Sequence, residues 1–316
     1  MKNDRLQNHI SESVLTLPFC ALLTTLLWWW PKGEYSLEYL LGWGVCALSA
    51  YVLTETNNGN LLIRIRTRMV SCVWLVGTAF LGFLHPLSNA MLAAFCLIVS
   101  LYLLFKSYQL WQPVVWVFHS FLFLGLGSIA FPWMLALAIL YYWYLISMLR
   151  AISWRSFWAG IIGLLIPYWF WGVGCLVLDD MTPLVEHLMQ LADWKPIQLE
   201  NYRHIPQNWV ASWGMITLLA LVGGIHFLCT SFNDKIQVRM LLYIFVIQTL
   251  VVDVFLVLQP QHFQPLMAML LACSCPLIAH FFALTGSRLS NLLFCLTLLM
   301  VIALATWNLW MPSFSL

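Results

Sequence analysis

MLLYIFVIQTLVVDVFLVL, residues 240–258, decides what kind of protein this is. A helix on the surface of a soluble protein keeps one polar face. This run keeps none. Wound as a helix it is apolar all round, and its length matches the roughly 20 residues needed to cross a hydrocarbon layer about 30 Å thick. Its single acid, Asp253, lies in the middle.

Ten similar runs surround it: Val14–Trp30, Ser36–Thr54, Met69–Leu84, Ala90–Phe105, Val114–Phe131, Trp133–Met148, Phe157–Leu178, Val210–Cys229, Leu266–Phe282 and Leu292–Trp310. Of the 316 residues, 62% are hydrophobic and 8% are charged. A soluble domain carries about 25% charged residues, so the solvent for most of this chain is lipid. Lipid leaves only helices or closed barrels, because backbone groups must be satisfied internally. Barrel strands alternate apolar and polar residues, and these runs do not. The expectation is an all-α, polytopic transmembrane bundle of about eleven helices, one integral membrane domain over residues 1–316. Pro132 separates the fifth run from the sixth with almost no loop. The alternative, a single kinked helix, would change the count.

Basic residues sort between the connections. With the N-terminus inside, the inner segments hold Lys2, Arg5, Arg64, Arg66, Arg68, Lys106, Arg150, Arg155, Lys235, Arg239 and Arg288. The outer segments hold Lys32, Lys195 and Arg203. Positive charge stays on the cytoplasmic side, so the expected topology is N-in and C-out, multi-pass, in a bacterial inner membrane. The first run, which ends in Trp28-Trp29-Trp30-Pro31, is expected to be retained rather than cleaved. Leu17-Pro18-Phe19-Cys20 only loosely matches a lipidation box, because Phe19 is large. The net charge of +2 and the scattered Lys and Arg residues speak against nucleic-acid binding. Nine cysteines without a C-x-x-C spacing read as packing residues, and no metal site is expected. The sequence names no cofactor.

Acids cluster on the expected outer side: Glu34, Glu38, Asp179, Asp180, Glu186, Asp193 and Glu200. Carboxylates contribute little to sidedness, so the clustering asks for another explanation. The outer loop 179–208 is the longest connection, and long loops in compact proteins are often functional. It opens on Asp179-Asp180. Thr182–Trp194 spaces Leu184, Leu188 and Leu191 along one helical face, the pattern of a short interfacial helix. Arg203 and His204 follow. Acids at a membrane face suit binding of a divalent cation with a lipid pyrophosphate. Arg203 suits a phosphate and His204 proton transfer. A solvated loop without chemistry explains the same residues. His85, in a His-Pro turn, and His262 lie in other outer turns.

Asp253 costs energy in hydrocarbon unless it is neutral, paired or hydrated, which marks it as a candidate substrate or coupling group. His119, His226 and His280 suit interhelical hydrogen bonds. The 57–68 segment, with Arg64, Arg66 and Arg68, suits anionic headgroups or an orientation signal. Tryptophans at span ends (Trp28–Trp30, Trp111, Trp133, Trp154, Trp209, Trp310) suit an interfacial belt, or sugar stacking.

Arg66-Thr-Arg68-Met69 before a span, His85-Pro86, residues 118–132 (FHSFLFLGLGSIAFP), Arg150 to Arg155 and residues 160–167 (GIIGLLIP) together resemble the middle of a GT-C type membrane glycosyltransferase. The same block, 64–169, is similar to an uncharacterised family of polytopic inner-membrane proteins of Bacteroidota. The GT-C resemblance implies transfer from a lipid-linked or envelope glycan at the outer face, with a catalytic acid in the first outer loop. That loop is short here, and Glu34 is its sole acid. On this reading Glu34, Asp179, Asp180, His85 and His204 are the catalytic candidates, and Arg203 and Asp253 bind substrate. Two other readings stand beside it: a scaffold in an envelope assembly that docks protein partners, and a proton-coupled transporter that uses Asp253.

Overall fold

A computed structural model describes residues 6–30, 36–195 and 200–310. Its helices, in chain order, are α1 (Leu6–Glu12), α2 (Thr16–Trp29), α3 (Leu37–Asn60), α4 (Met69–Phe80), α5 (Asn89–Phe105), α6 (Val114–Ala130) and α7 (Leu137–Ser147). There follow α8 (Trp154–Val177), α9 (Thr182–Met189), α10 (Glu200–Arg203), α11 (Gln207–Thr230), α12 (Ile236–Leu258), α13 (Phe263–Leu284) and α14 (Arg288–Trp310). There is no strand among the described residues. Every one of the apolar runs is helical. Six helices are long and apolar enough to cross a membrane, α3, α8, α11, α12, α13 and α14, with α11 and α13 counted together with their short flanking turns. α1 and α2 pass the same test only together, and they meet at a 92° bend. α4, α5 and α6, and α7 with its leading turn, are apolar but shorter.

One boundary differs from the sequence reading and another agrees with it. α3 runs on to Asn60, through residues expected in a loop. Asn57 is buried there and its amide donates to Thr67 O at 3.0 Å, which holds the 61–68 link against the helix end. At Pro132 the chain does break: α6 stops at Ala130, Phe131 is extended, and a 3-10 turn over Pro132–Ala136 leads into α7. Proline lacks the N–H that would continue the ladder.

The chain forms two compact units, Met1–Ser88 with Gln198–Leu316, and Asn89–Ile197. The first is built around α13, which is buried at every position from 266 to 283. Small residues at 268, 272–275 and 279 let neighbours approach closely, the usual basis of helix contact where no hydrophobic force acts between spans. α11, α12 and α4 pack directly on α13. Gln7 of α1 closes its C-terminal end, donating to Phe282 O at 2.6 Å and Thr285 O at 3.1 Å, two carbonyls at the end of the helix.

The second unit centres on α6, between α5 and α8. Ser100 Oγ donates to Ser120 O at 2.7 Å, and Ser120 Oγ donates to Ser100 O at 2.9 Å, a reciprocal bond between α5 and α6. Gly125 of α6 faces the backbone of Leu164, and Gly163 of α8 faces the backbone of Phe118. Each glycine admits the other helix's main chain. The Gly-Leu-Gly of α6 is thus a packing surface within a continuous helix.

Candidate functional site

Asp253 stands on α12 with Thr249 and Val246 at helical spacing, all turned towards α11 and α13. α11 and α12 each pack along α13 and touch one another little beyond their connecting turn. The space between them is a partly open cleft of about 150 Å³, floored by Leu270 and Leu277 of α13. Its walls include Leu221, Ile225, Leu228 and Leu250, which are between 45% and 60% exposed, so the cleft opens onto an apolar outer surface.

Two polar groups of α11 meet the carboxylate. Trp213 Nε1–H donates to Asp253 Oδ1 at 2.8 Å, and Thr217 Oγ donates to the same oxygen at 2.9 Å. Positions 213 and 217 are one turn apart and share a face. Hydrogen bonds from donors reduce the cost of a carboxylate away from water. One turn back from Asp253, Thr249 is 6% exposed and its hydroxyl has no hydrogen-bond partner among the described residues. The cleft therefore presents one anchored carboxylate, one unused hydroxyl and otherwise apolar walls. Its volume lies below the roughly 300–1,000 Å³ of pockets that enclose a whole small molecule.

The sequence singled out Asp253 for its position in an apolar run. It missed Trp213, Thr217 and Thr249. The only signal available was the W-x-x-x-T spacing on α11, which is common in helices and names no partner.

The other candidates lie elsewhere. Glu34 is outside the described residues. His85 is buried in the first unit. Its ring stacks on Trp28 at 4.2 Å, and its Nε2 lies 3.3 Å from Ala79 O. Trp28 is itself buried and donates to Tyr39 O at 3.2 Å, so it belongs to the core and not to an interfacial belt. Trp30, Trp111 and Trp154 remain exposed. Arg203 and His204 are exposed at the end of α10. His119 is exposed and bonds within its own helix, to Val115 O at 2.7 Å. His226 and His280 do meet, with ring centroids 5.6 Å apart.

Asp179 and Asp180 belong to the second unit, where they join two helices. Asp179 has φ 54°, the left-handed conformation in which helices commonly end. Its N–H bonds Leu176 O at 3.2 Å, and that of Asp180 bonds Cys175 O at 3.0 Å, the paired bonds of a Schellman end to α8. The Asp180 carboxylate then accepts from the hydroxyl of Thr182 and, at 3.0 Å, from its N–H, at the start of α9. These bonds hold its carboxyl below the usual aspartate value, so it stays ionised. That suits capping a helix start or holding a cation and is unsuited to a general acid.

α9 docks through His187 rather than through leucines. His187 is buried, and its Nε2–H donates to Ser128 O at 3.0 Å. Ser128 donates to Gly125 O, so Tyr168 donates to Ser128 Oγ at 2.8 Å. Trp171 meets the imidazole edge-on at 4.9 Å. Burial pushes the His187 pKa down, against the raising effect of the Ser128 contact. Val185, Leu188 and Met189 are left exposed, an apolar face of the kind that lies in a membrane interface.

Among the described residues no group of three or more His, Cys, Asp or Glu is arranged to hold a metal ion. Comparison with known proteins gave no match: no family model, no curated protein and no solved structure is similar to this chain.

Proposed function

We propose that this is a polytopic membrane carrier, seated N-in and C-out with about eleven spans in a bacterial inner membrane, that takes an amphipathic molecule into the cleft beside Asp253. The apolar tail lies against the leucines of α11 and α13, and a hydrogen-bond-donating amine head reaches Asp253 and Thr249. The observation that carries this reading is the pairing of an anchored carboxylate with an unsatisfied buried hydroxyl in a cleft open on its apolar side. Size supports it too. The cleft holds part of a molecule, which suits a lipid whose remainder stays in the bilayer and does not suit a free sugar.

Native mass spectrometry of the full-length protein tests this, with phosphatidylethanolamine and phosphatidylglycerol as probes. Retention of the amine-headed lipid by the wild type and its loss in Asp253→Asn is the expected result. Equal retention of both lipids by both proteins overturns the reading.

A second reading, a degenerate GT-C-like protein acting on lipid-linked or envelope glycans, draws on one feature. Ionised Asp180 heads an amphipathic helix whose apolar face is exposed. Transfer of a sugar by the purified protein, lost in Asp180→Asn, would favour it over the carrier.

A further inference from the structure

The end of the cleft remote from Asp253 abuts a second polar cluster. Leu228 and Leu277 line that end, and His226 and His280 lie within a turn of them on α11 and α13. Beside the histidines sits Asp234, in the turn that joins α11 to α12. Its side chain is fully buried. Arg64, from the link between α3 and α4, places Nε 2.6 Å from Asp234 Oδ1. His280 Nε2 lies 3.6 Å from Asp234 Oδ2, too long for a hydrogen bond, and among the described residues neither ring nitrogen of His280 has a partner. A fully buried imidazole thus faces a buried carboxylate at the outer edge of hydrogen-bond range.

Other charged or titratable groups stand on the elements around α13. α1 carries His9 and Glu12, α4 carries Cys72, α12 carries Arg239 after Lys235 at its cap, and α14 begins at Arg288. Of all these groups, Arg64 and His280 are the ones within ion-pair distance of Asp234 among the described residues, at 2.6 Å and 3.6 Å.

In this geometry the cluster is balanced by one guanidinium and one carboxylate when His280 is neutral. A proton on Nε2 adds a buried positive charge. That charge is tolerable only if Asp234 turns to it and a second cation leaves. Arg64 is the group free to leave, because its side chain is already 39% exposed and can reach water. Asp234 would then exchange one partner for another, and the turn between α11 and α12 would lose its tether to the α3–α4 link. Those two helices are the walls of the cleft.

We infer that His280, Asp234 and Arg64 form a proton-binding site at the end of the cleft remote from Asp253, and that protonation of His280 takes Asp234 from Arg64 and releases the α11–α12 turn. The proton comes from water on the Arg64 side, and no other bond is made or broken. The inference rests on the carrier reading only in giving the released helices a cargo.

Cys229 is exposed and lies close to this turn, so it reports on it. The full-length protein, with Cys295 replaced by Ser, carries a nitroxide on Cys229 in liposomes of phosphatidylethanolamine and phosphatidylglycerol. Label mobility is read between about pH 3.5 and 8, from well below to above the range in which exposed histidines titrate. The wild type is expected to become more mobile on acidification, with one midpoint. His280→Gln loses that response and keeps the low mobility of high pH. Arg64→Gln, at a part-exposed position compatible with folding, is mobile throughout. Circular dichroism checks helix content in each. An unchanged pH response in His280→Gln, no response in the wild type, or a normal response in Arg64→Gln overturns the proposal. The readout needs no cargo. Loss of lipid retention with an intact pH response removes the carrier reading alone, and the converse removes the proton site alone.

Discussion

Gly223 of α11 lies so close to Leu277 of α13 that a Cβ added to it would stand 2.5 Å from the Leu277 carbonyl oxygen. That atom is backbone in a fully buried helix and has nowhere to go. The next residue, Gly224, lines the cleft, and nothing lies within 4 Å of the Cβ it lacks. Adjacent glycines therefore carry different duties. Gly223→Ala is expected to destabilise the protein by about 1–3 kcal/mol, the usual cost of overpacking. Gly224→Leu should leave thermal unfolding in detergent nearly unchanged while filling the cleft and weakening lipid retention. Equal stability losses for the two would mean that the cleft is closed in the folded protein.

Removing the donors to Asp253 should separate binding from folding. Hydrogen bonds to charged groups contribute about 1.5–3 kcal/mol each, so Trp213→Phe with Thr217→Val leaves the carboxylate exposed to other partners. The double variant is expected to unfold at lower temperature than the wild type. With Asp253→Asn added, part of that loss should return, because the amide is cheaper to leave without those donors. A triple variant less stable than the double would show that Asp253 is held by groups other than these two.

Docking of α9 should weaken in acid. The folded pKa of His187 is lowered by burial, so the undocked state binds the proton more readily. The docked state is favoured above the ordinary histidine value of about 6.5 and loses that advantage as pH falls below it. Hydrogen exchange of the amides from 184 to 189 is expected to accelerate on acidification through this range. In His187→Gln, whose amide can still donate to Ser128 O, exchange should be independent of pH after correction for intrinsic rates. Acid protection in the wild type would contradict the assignment.

At the end of α8, Asp179 adopts a conformation that glycine meets without steric cost. Asp179→Gly is expected to be neutral or to stabilise by up to about 1 kcal/mol, and Asp179→Val to destabilise by about 1–2 kcal/mol. Asp180→Asn keeps an acceptor for Thr182 and should preserve α9. If either conservative change abolished an activity without a change in unfolding, these acids would have a chemical duty beyond joining two helices.

The proposed topology is open to direct labelling. Cysteines introduced at Arg150 and Asp180 are expected to react with a membrane-impermeant maleimide from opposite sides of the membrane. Reaction from the same side would remove the N-in, C-out arrangement, and the positive-inside argument with it.

Much of the helical layout was readable in the chain itself. Each apolar run is helical, the form in which a long apolar segment satisfies its own backbone hydrogen bonds, and Pro132 ends α6 for lack of an N–H. The run around 240–258 also exposed Asp253 as a costly residue. Some local readings went otherwise. The leucines at 184, 188 and 191 gave α9 its helical spacing but no sign of what anchors it: His187, whose ring reaches Ser128 O and Trp171. Spacing identifies a face and does not say which side chain finds a partner. Trp28 lies at a span end but stacks on His85 in the core.

What the sequence by itself determined is the apolar, all-helical character of the chain and the positions of its helices, since both follow from local polarity and local hydrogen bonding. The tertiary structure alone decided which residues act together. Asp253 with Trp213 and Thr217, and Arg64 with Asp234 and His280, are distant along the chain and meet only because α13 gathers α4, α11 and α12 around it. Such pairings depend on close backbone approach at Gly223 and similar contacts, and no periodicity within a single helix encodes them.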